Sequence, residues 1–292
     1  MGNSLVVAAV HGWCAFLVLQ GFAQPLYAEV SDGRVSCLAS RDDNRPHAKR
    51  LPNGYETSVG PSVAAADPSE RCTGAIRDPS GNAVFRTDGF NVILDEELTG
   101  QDFDGDGKGE VVFRTDTGGG QHCCWSYNVV TLFPKPRKLF DIDAAGMVRF
   151  EKDKDGKMVI WQRVPGPDGY ADMADRPFAE RVFRVRESKL VDCTPEFCPR
   201  ILAPGNADYD EQMRVLTPNR LKRLRNERGM PDQETASALL SRALQNTFCR
   251  RYDDALTMLN QWPEASRRRV KSDFGQSVRE DHPSFAARLL GK

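Results

Sequence analysis

Hydrophobic positions follow two different periods along this chain. Up to about residue 205, apolar and polar side chains alternate in short runs, and Gly, Pro or Asp interrupts them roughly every 8 to 15 residues. Alternation with a period of two is the pattern of strands with one buried face. After Pro204 the apolar residues recur with the 3.6-residue period of a helix. The pattern therefore predicts a mainly β amino-terminal domain over residues 29–205 and an all-α helical subdomain over residues 206–292.

The same pattern places the individual elements. The predicted strands cover residues 83–86, 90–94, 110–115, 125–133, 138–142, 147–152, 157–163 and 178–185. Residues 41–70 are rich in Pro, Ala, Ser and charged side chains, so we expect a loop there. Four helices are predicted over residues 211–226, 233–249, 252–261 and 265–278, and Pro231, Pro263 and Pro283 stand at or near helix starts.

The first 28 residues are typical of a secretory signal peptide. Residues 5–28 are mostly apolar and contain no acidic side chain, Lys or Arg, and small residues permit cleavage after Ala23 or Ala28. The competing interpretation is a membrane anchor. It fails because polar residues and Pro25 interrupt the apolar stretch before it reaches the roughly 20 residues of a spanning helix. We therefore expect a periplasmic or secreted protein without a membrane span.

Cysteine usage agrees with export, because disulfides persist in oxidising compartments. The expected pairs are Cys37 with Cys72, Cys193 with Cys198, and Cys249 with either Cys123 or Cys124. Seven cysteines follow the predicted signal peptide, and an odd number leaves one thiol free or joined to another chain in an intermolecular disulfide. A zinc site is not expected, since the chain has no Cys-x-x-Cys pair and no matching His spacing.

Residues 102–110 form an acidic loop, Asp-Phe-Asp-Gly-Asp-Gly-Lys-Gly-Glu, in which carboxylates occupy alternate positions. Calcium takes about six to eight oxygen ligands. The side chains of Asp102, Asp104 and Asp106 can supply oxygens, with the Lys108 carbonyl and the Glu110 carboxylate completing the set. Because an EF-hand needs Glu at loop position 12 and this chain has Phe113 there, the EF-hand interpretation fails. The alternative to an ion site is a solvated acidic turn.

The pattern Asp-x-Asp-x-Asp-Gly-x-x-Glu before a strand resembles the calcium loop of FG-GAP and VCBS-type β-repeats, over residues 85–165. The adjacent run Gly-Gly-Gly-Gln-His-Cys-Cys-Trp, residues 118–125, is similar to a motif of bacterial exported proteins that carry such a loop. The resemblance implies structural calcium held by Asp102, Asp104, Asp106, Lys108 and Glu110. It also implies a partial propeller-like or sandwich sheet, because a full propeller would need several loops and only one good copy is present.

Two other acidic segments are weaker candidates for ion binding. Asp141-Ile-Asp143-Ala-Ala-Gly146 lacks the third acid of the pattern. Asp153-Lys-Asp155-Gly156 is predicted to be a hairpin turn between two strands.

Catalytic motifs are nearly absent from the sequence. It has no Gly-x-Ser-x-Gly elbow, no phosphate-binding glycine loop and no His-Glu-x-x-His, so no cofactor other than Ca²⁺ is predicted. His122, beside a glycine run, is the one weak catalytic candidate, and it would need a partner such as Asp116, Asp88 or Cys124. A structural histidine at the start of a strand is the competing interpretation.

Basic clusters in the helical part, such as Arg220, Lys222 and Arg223, could suggest nucleic-acid binding. Interleaved acids and the predicted export favour a solvated face instead, so no nucleic-acid partner is expected. The sequence thus predicts an exported calcium-binding protein that presents loops to an unknown protein or glycan ligand, and that is not an enzyme. The alternatives are a cell-envelope hydrolase using His122 near the acidic loop, and a structural subunit of a larger complex.

Overall fold

The structure, a computed structural model, describes residues 35–38, 46–62, 70–116, 118, 125–143, 147–170, 176–226 and 232–291. These residues belong to one compact unit, Val35–Lys292. Its amino-terminal part consists of antiparallel β-sheets, and its helices lie mostly in the carboxy-terminal part. The predicted signal peptide and the motif around His122 lie outside the described residues. None of the helices in the described ranges is both long and apolar enough to cross a bilayer.

Three antiparallel sheets form the β part. The first contains β2 (His47–Arg50), β3 (Glu56–Pro61), β4 (Cys72–Arg77) and β5 (Ala83–Gly89). The second contains β1 (Ser36–Leu38), β6 (Asn91–Leu94), β7 (Val111–Asp116), β8 (Trp125–Thr131) and β9 (Arg137–Asp143). The third contains β10 (Val148–Lys152), β11 (Met158–Pro165), β12 (Phe178–Arg186) and β13 (Lys189–Asp192). Within each sheet the paired strands are consecutive in sequence, except that β1 pairs with β6. The described strands do not close into a barrel or a propeller.

The second sheet is buried on both faces. Val111 and Phe113 of β7 pack into a core shared with Val59 and Ile76 of the first sheet. Val112, on the opposite face, packs into a core shared with the third sheet. Because successive side chains of a strand point to opposite faces, a continuous apolar run such as residues 111–113 indicates a strand between two layers.

The helical part contains α1 (Thr194–Ile201), α2 (Ala207–Val215), α3 (Pro218–Asn226), α4 (Gln233–Phe248), α5 (Tyr252–Leu259), α6 (Glu264–Ser277) and α7 (Pro283–Leu289). Leu239, Leu244, Trp262 and Phe274 lie in its core. Helix α4 packs on β12, where Gln245 donates to the Glu180 carbonyl at 3.0 Å and accepts from the Glu180 amide at 2.8 Å. The helices therefore attach directly to the third sheet.

One predicted disulfide is confirmed and two are wrong. Cys37 of β1 is bonded to Cys72 of β4, which joins the first two sheets. Cys198 is bonded to Cys249, so neither the Cys193–Cys198 pair nor a bond from Cys249 to Cys123 or Cys124 forms. The reason is that α1 and the end of α4 meet beside β12, whereas the Cys193 thiol, before the first turn of α1, donates to the Val182 carbonyl.

Cys193 is the free cysteine among the described residues, and it is buried. Burial raises the pKa of its thiol to about 11. Because thiolate is the reactive form, a buried thiol with a raised pKa is inert. It does not provide the exposed thiol that an intermolecular disulfide would require.

The structure differs from the predicted elements in several places, and β1, β4, β13 and α7 lie outside the ranges predicted for strands and helices. Residues 41–70, expected to be a loop, contain β2 and β3. The helix predicted over residues 211–226 is two helices, since α2 ends at Val215 and α3 begins at Pro218, whose ring nitrogen carries no hydrogen for a continuous helix. The segment between β13 and Pro204 contains α1, which the sequence did not predict.

Candidate metal centre

The acidic loop, residues 102–110, belongs to the connection between β6 and β7. Two backbone hydrogen bonds close its base, from the Gly100 amide to the Glu110 carbonyl at 2.7 Å and from the Glu110 amide to the Gln101 carbonyl at 3.0 Å. Strand β7 starts immediately afterwards at Val111. The acidic side chains are therefore displayed from a loop whose two ends are held together.

Phe103 anchors the loop to the core. Its side chain is buried between the second and third sheets and packs edge-on against Phe140 and Phe150, with ring centroids 5.9 Å and 5.7 Å away. A buried aromatic ring between two partly exposed acids leaves the loop little freedom to swing away from the protein. The single apolar residue of the acidic stretch thus fixes the position of the carboxylates.

Asp102, Asp104 and Asp106 converge in the loop. One carboxylate oxygen from each lies within 4.8 Å of the others. Loop amides orient all three side chains. Asp102 accepts hydrogen bonds from the Gly105 and Gly107 amides at 2.6 Å and 2.9 Å. Asp104 accepts one from the Asp106 amide at 3.2 Å, and Asp106 accepts one from the Lys108 amide at 2.8 Å. The structure therefore brings together the three aspartates that the sequence singled out.

Glu110 lies beside this group and is almost completely buried, with 1% of its surface exposed. Its Oε2 accepts a hydrogen bond of 2.7 Å from the Phe103 amide, whereas its Oε1 is buried and has no hydrogen-bond partner among the described residues. Burial, followed by the charges of the three neighbouring aspartates, raises the pKa of Glu110 to about 7 against the opposing Phe103 bond. A buried carboxylate oxygen without a donor is costly unless a cation or proton compensates it.

The residues present fit a hard divalent cation. The donor set consists of carboxylate oxygens, with no sulfur or imidazole nitrogen, which suits calcium or magnesium better than zinc. Lys108 provides only weak compensation, since its Nζ is 3.9 Å from Asp106 Oδ2 and 4.6 Å from the centre of the Phe133 ring. The Lys108 carbonyl and Glu110 remain predicted ligands, because the converging oxygens within the described part of the chain belong to the aspartates alone.

The glycines of the loop are required by its conformation. Gly105 and Gly107 have backbone φ angles of +81° and +82°, in a region that residues with a Cβ atom rarely adopt. Gly109 is needed for a different reason, because a Cβ there would lie 2.4 Å from the Gly100 carbonyl oxygen. Gly105 and Gly107 thus permit the tight turn of the loop.

The two weaker acidic segments differ from this loop. Asp153 accepts from the Asp155 and Lys157 amides and forms an ion pair of 2.9 Å with Arg184 in the turn between β10 and β11. That segment is a hairpin turn, as predicted. Asp141 and Asp143 lie at the end of β9, and Asp141 pairs with Lys138 at 3.1 Å. Asp153 and Asp141 therefore each have a cationic partner, whereas Oε1 of Glu110 has no hydrogen-bond partner among the described residues.

The weak catalytic candidate, His122, and its potential partner Cys124 lie outside the described residues. The other potential partners already have hydrogen bonds: Asp116 accepts from Asn91 Nδ2 at 2.8 Å, and Asp88 accepts from the Arg86 guanidinium.

Sequence reasoning missed the burial of Glu110 and the anchoring role of Phe103. The signal for both was available, since an apolar residue within an acidic loop and an acid entering an apolar strand each predict a side chain that faces the core.

Comparison of the chain with protein-family models, with curated proteins and with solved structures finds no match in any of the three.

Proposed function

We propose that this protein is an exported, calcium-binding β-protein whose acidic loop holds Ca²⁺ for structural stability and which presents surface loops to a ligand. One observation carries the proposal. The Glu110 carboxylate is buried beside three converging aspartates, and one of its oxygens has no hydrogen-bond partner among the described residues. A bound cation would compensate that oxygen and the mutual repulsion of the four acids.

The ligands in this proposal are the side chains of Asp102, Asp104, Asp106 and Glu110 and the carbonyl of Lys108. Because Glu110 joins the loop to β7 and Phe103 joins it to the core, an ion bound here would tie the second sheet to the third. Calcium would then act on the stability of the β part. In this structural role the calcium ion can stay bound and need not exchange with calcium in solution.

The arrangement of the sheets supports a propeller-like relationship, as does the FG-GAP and VCBS resemblance of the loop. Three successive groups of four strands, β2–β5, β6–β9 and β10–β13, each form an antiparallel meander. Four-stranded antiparallel sheets repeated along a chain are the blades of propellers. In this proposal the three sheets are consecutive blades, and the connections between their strands are the ligand-presenting loops.

Export is proposed from the apolar segment over residues 5–28 and from the disulfides. Cys37–Cys72 and Cys198–Cys249 each link parts of the chain that are distant in sequence. Such bonds form in oxidising compartments such as the periplasm or the extracellular space. We infer that the ligand met there is a protein or a glycan.

Thermal unfolding of the purified protein, in chelator and across a calcium titration, tests the ion site. Binding to the native state raises the free energy of unfolding by RT ln(1 + [L]/Kd), about 2.7 kcal/mol when calcium exceeds Kd a hundredfold. Replacing both Asp104 and Asp106 with Asn should abolish this rise. Asp155→Asn, in the hairpin turn between β10 and β11, is the matched control and should retain it.

Glu110→Gln separates an ion ligand from a merely structural acid. In chelator at pH 8 the wild-type protein carries a buried carboxylate, which the amide would replace without charge, so the variant should be at least as stable. In saturating calcium the wild type should become the more stable of the two. If calcium stabilises neither protein, or stabilises the Asp104 and Asp106 double variant as strongly as the wild type, the acidic loop is not the calcium site.

A further inference from the structure

A cleft separates the third sheet from the start of α2. Its cavity of about 280 Å³ is bounded on the sheet side by Met147, Arg149 and Glu180 and on the helix side by Ala207 and Asp208. A second cavity of about 230 Å³ adjoins it and shares Arg163 and Asp208 with it. Pockets for small molecules usually have volumes of about 300–1,000 Å³. The two cavities together provide room in that range.

The strand register builds the floor of the cleft. Trp161 and Arg163 are two residues apart on β11, so both side chains lie on the same face of the third sheet. Arg149 of β10 pairs in register with Trp161, and Glu180 of β12 pairs with Arg163. The Arg149 guanidinium lies over the Trp161 ring at 4.4 Å and forms an ion pair of 3.1 Å with Glu180 Oε1. Three neighbouring strands thus present two guanidinium groups, a carboxylate and an indole to one space.

Several polar atoms at this floor have no hydrogen-bond partner. Glu180 is 6% exposed, and the Asn206 side chain lies close enough to its carboxyl group to lower its pKa, whereas Oε2 has no hydrogen-bond partner of standard geometry among the described residues. The same holds for Trp161 Nε1 and Arg163 Nε. Buried polar groups are nearly always satisfied by protein, water or ligand. Glu180, Trp161 and Arg163 all line the first cavity, so the cleft brings one acceptor and two donors without partners close together.

The charges of the first cavity balance. Arg149 and Arg163 contribute two positive charges, and Glu180 and Asp208 contribute two negative charges. An anion such as phosphate would face two carboxylates, and a cation would face two guanidinium groups. A neutral hydroxyl compound avoids both conflicts, because each hydroxyl donates one hydrogen bond and accepts others. Apart from Asn206, whose side-chain amide can also bond a hydroxyl, the remaining walls are carbon atoms of Met147, Val148 and Ala207, which suit the C–H face of a sugar ring.

We infer that this cleft binds a neutral glycan, with one sugar residue held by hydroxyl hydrogen bonds to Glu180, Arg163 and Asp208 and the next residue in the adjoining cavity. The site is separate from the acidic loop, since β10, β11, β12 and α2 build it. Binding therefore should not need calcium, and the inference does not depend on the proposed calcium function.

Nuclear magnetic resonance with defined disaccharides tests the inference. Maltose, cellobiose and N,N′-diacetylchitobiose would each be titrated into the ¹⁵N-labelled protein, with the Trp161 indole N–H as the reporter, in calcium and again in chelator. At least one disaccharide should shift that signal saturably in both conditions. Ala207→Trp, an exposed position at the mouth of the cleft, should weaken binding at least tenfold by filling the cavity. Glu180→Gln should weaken it by a similar factor, because one of the two carboxylate oxygens is replaced by an amide nitrogen that cannot accept a hydroxyl hydrogen bond and the charge that strengthens such bonds is lost.

Met213→Trp is the matched control, because Met213 is 48% exposed on the same helix and lines neither cavity. It should bind the disaccharide as the wild type does. Inorganic phosphate and the cation arginine amide would be titrated in parallel. Three results would each overturn the inference: no disaccharide shifts the Trp161 signal, phosphate or arginine amide binds in preference to the sugars, or Ala207→Trp binds the sugar unchanged.

Discussion

The absence of a side chain at Gly109 allows the base of the acidic loop to close. A Cβ at this position would lie 2.4 Å from the Gly100 oxygen and 2.6 Å from its carbonyl carbon. These are backbone atoms whose position is fixed by the hydrogen bond from the Gly100 amide to the Glu110 carbonyl. Alanine would have to push the two ends of the loop apart. The aspartates and Glu110 would then lose their common geometry.

We predict that Gly109→Ala lowers the free energy of unfolding by about 1 to 3 kcal/mol, the usual cost of forcing extra atoms into a packed site. Its apparent affinity for calcium should also fall. Gly275→Ala is the comparison, since its Cβ would meet atoms no closer than 3.4 Å inside α6, where Ala is favoured over Gly by roughly 0.5 to 1 kcal/mol. Urea unfolding of both variants in chelator measures the contrast. Equal stabilities would show that the base of the loop tolerates a side chain.

The candidate ion site could be predicted from the sequence because its residues are local. The five predicted ligands lie within residues 102–110, where loop spacing alone brings oxygens together. The glycan cleft could not be predicted in this way. Its residues lie between 147 and 241, and the strand register and the docking of α2 bring them together. The Cys198–Cys249 bond was missed for the same reason, since spacing favours a nearby partner and packing selected a distant one.

Helix α4 completes the free edge of β12. Strand β13 pairs with β12 only from Phe183 onwards, so the preceding residues lack a neighbouring strand on that side. Side chains of α4 provide the missing bonds: the Ser241 hydroxyl accepts from the Phe178 amide, and the Gln245 side chain bonds the amide and the carbonyl of Glu180. Unpaired backbone groups of a buried strand would be costly. Two polar residues one turn apart on a helix thus replace part of a strand.

Gln245→Ala should lower the free energy of unfolding by about 1 to 3 kcal/mol, because it leaves the amide and carbonyl of Glu180 buried without partners. Gln276→Ala, at an exposed position of α6, should change stability by less than about 0.5 kcal/mol. Chemical denaturation of the two variants provides the measurement. A loss for Gln245→Ala no larger than that for Gln276→Ala would show that water satisfies the strand edge.

Elements with a clear apolar pattern matched the structure, and those without one did not. The predicted strand over residues 178–185 corresponds to Phe178–Arg186, and the predicted helix over 233–249 corresponds to Gln233–Phe248. Strand β2 was missed because all four of its residues are exposed, so no apolar alternation marks it. Helix α1 was missed because Pro195 and Pro199 suggest a loop, although packing of Phe197 and Ile201 against the third sheet supports a helix.

The pH dependence of the whole protein contains opposing contributions from two buried groups. Without calcium, Glu110 keeps its proton in the folded state up to a pKa of about 7, above its ordinary value of 4.5, so its contribution to stability increases as pH falls from 7 to 4.5. His282 acts in the opposite direction, because burial lowers its pKa in the folded state. The unfolded chain then takes up a proton first. The contribution of His282 to stability therefore falls as pH decreases below about 6.5.

Comparison of the wild type with His282→Gln isolates the histidine, because Glu110 and the other acids contribute equally to both proteins. The His282 ring lies between Phe248 and Tyr252, its Nδ1 is 3.2 Å from the Tyr252 hydroxyl, and its Nε2 is buried without a partner among the described residues. Charged groups with opposing effects on the pKa of His282, Asp281 and Arg181, lie nearby.

From pH 7.5 to 5.5 the wild type should lose stability relative to His282→Gln, by at most about 1.4 kcal/mol per pH unit for one proton. His47→Gln, in the exposed strand β2, should follow the wild type. Urea unfolding at three pH values supplies the comparison, and a difference between wild type and His282→Gln that stays constant with pH would show that His282 is protonated equally in the folded and unfolded chains.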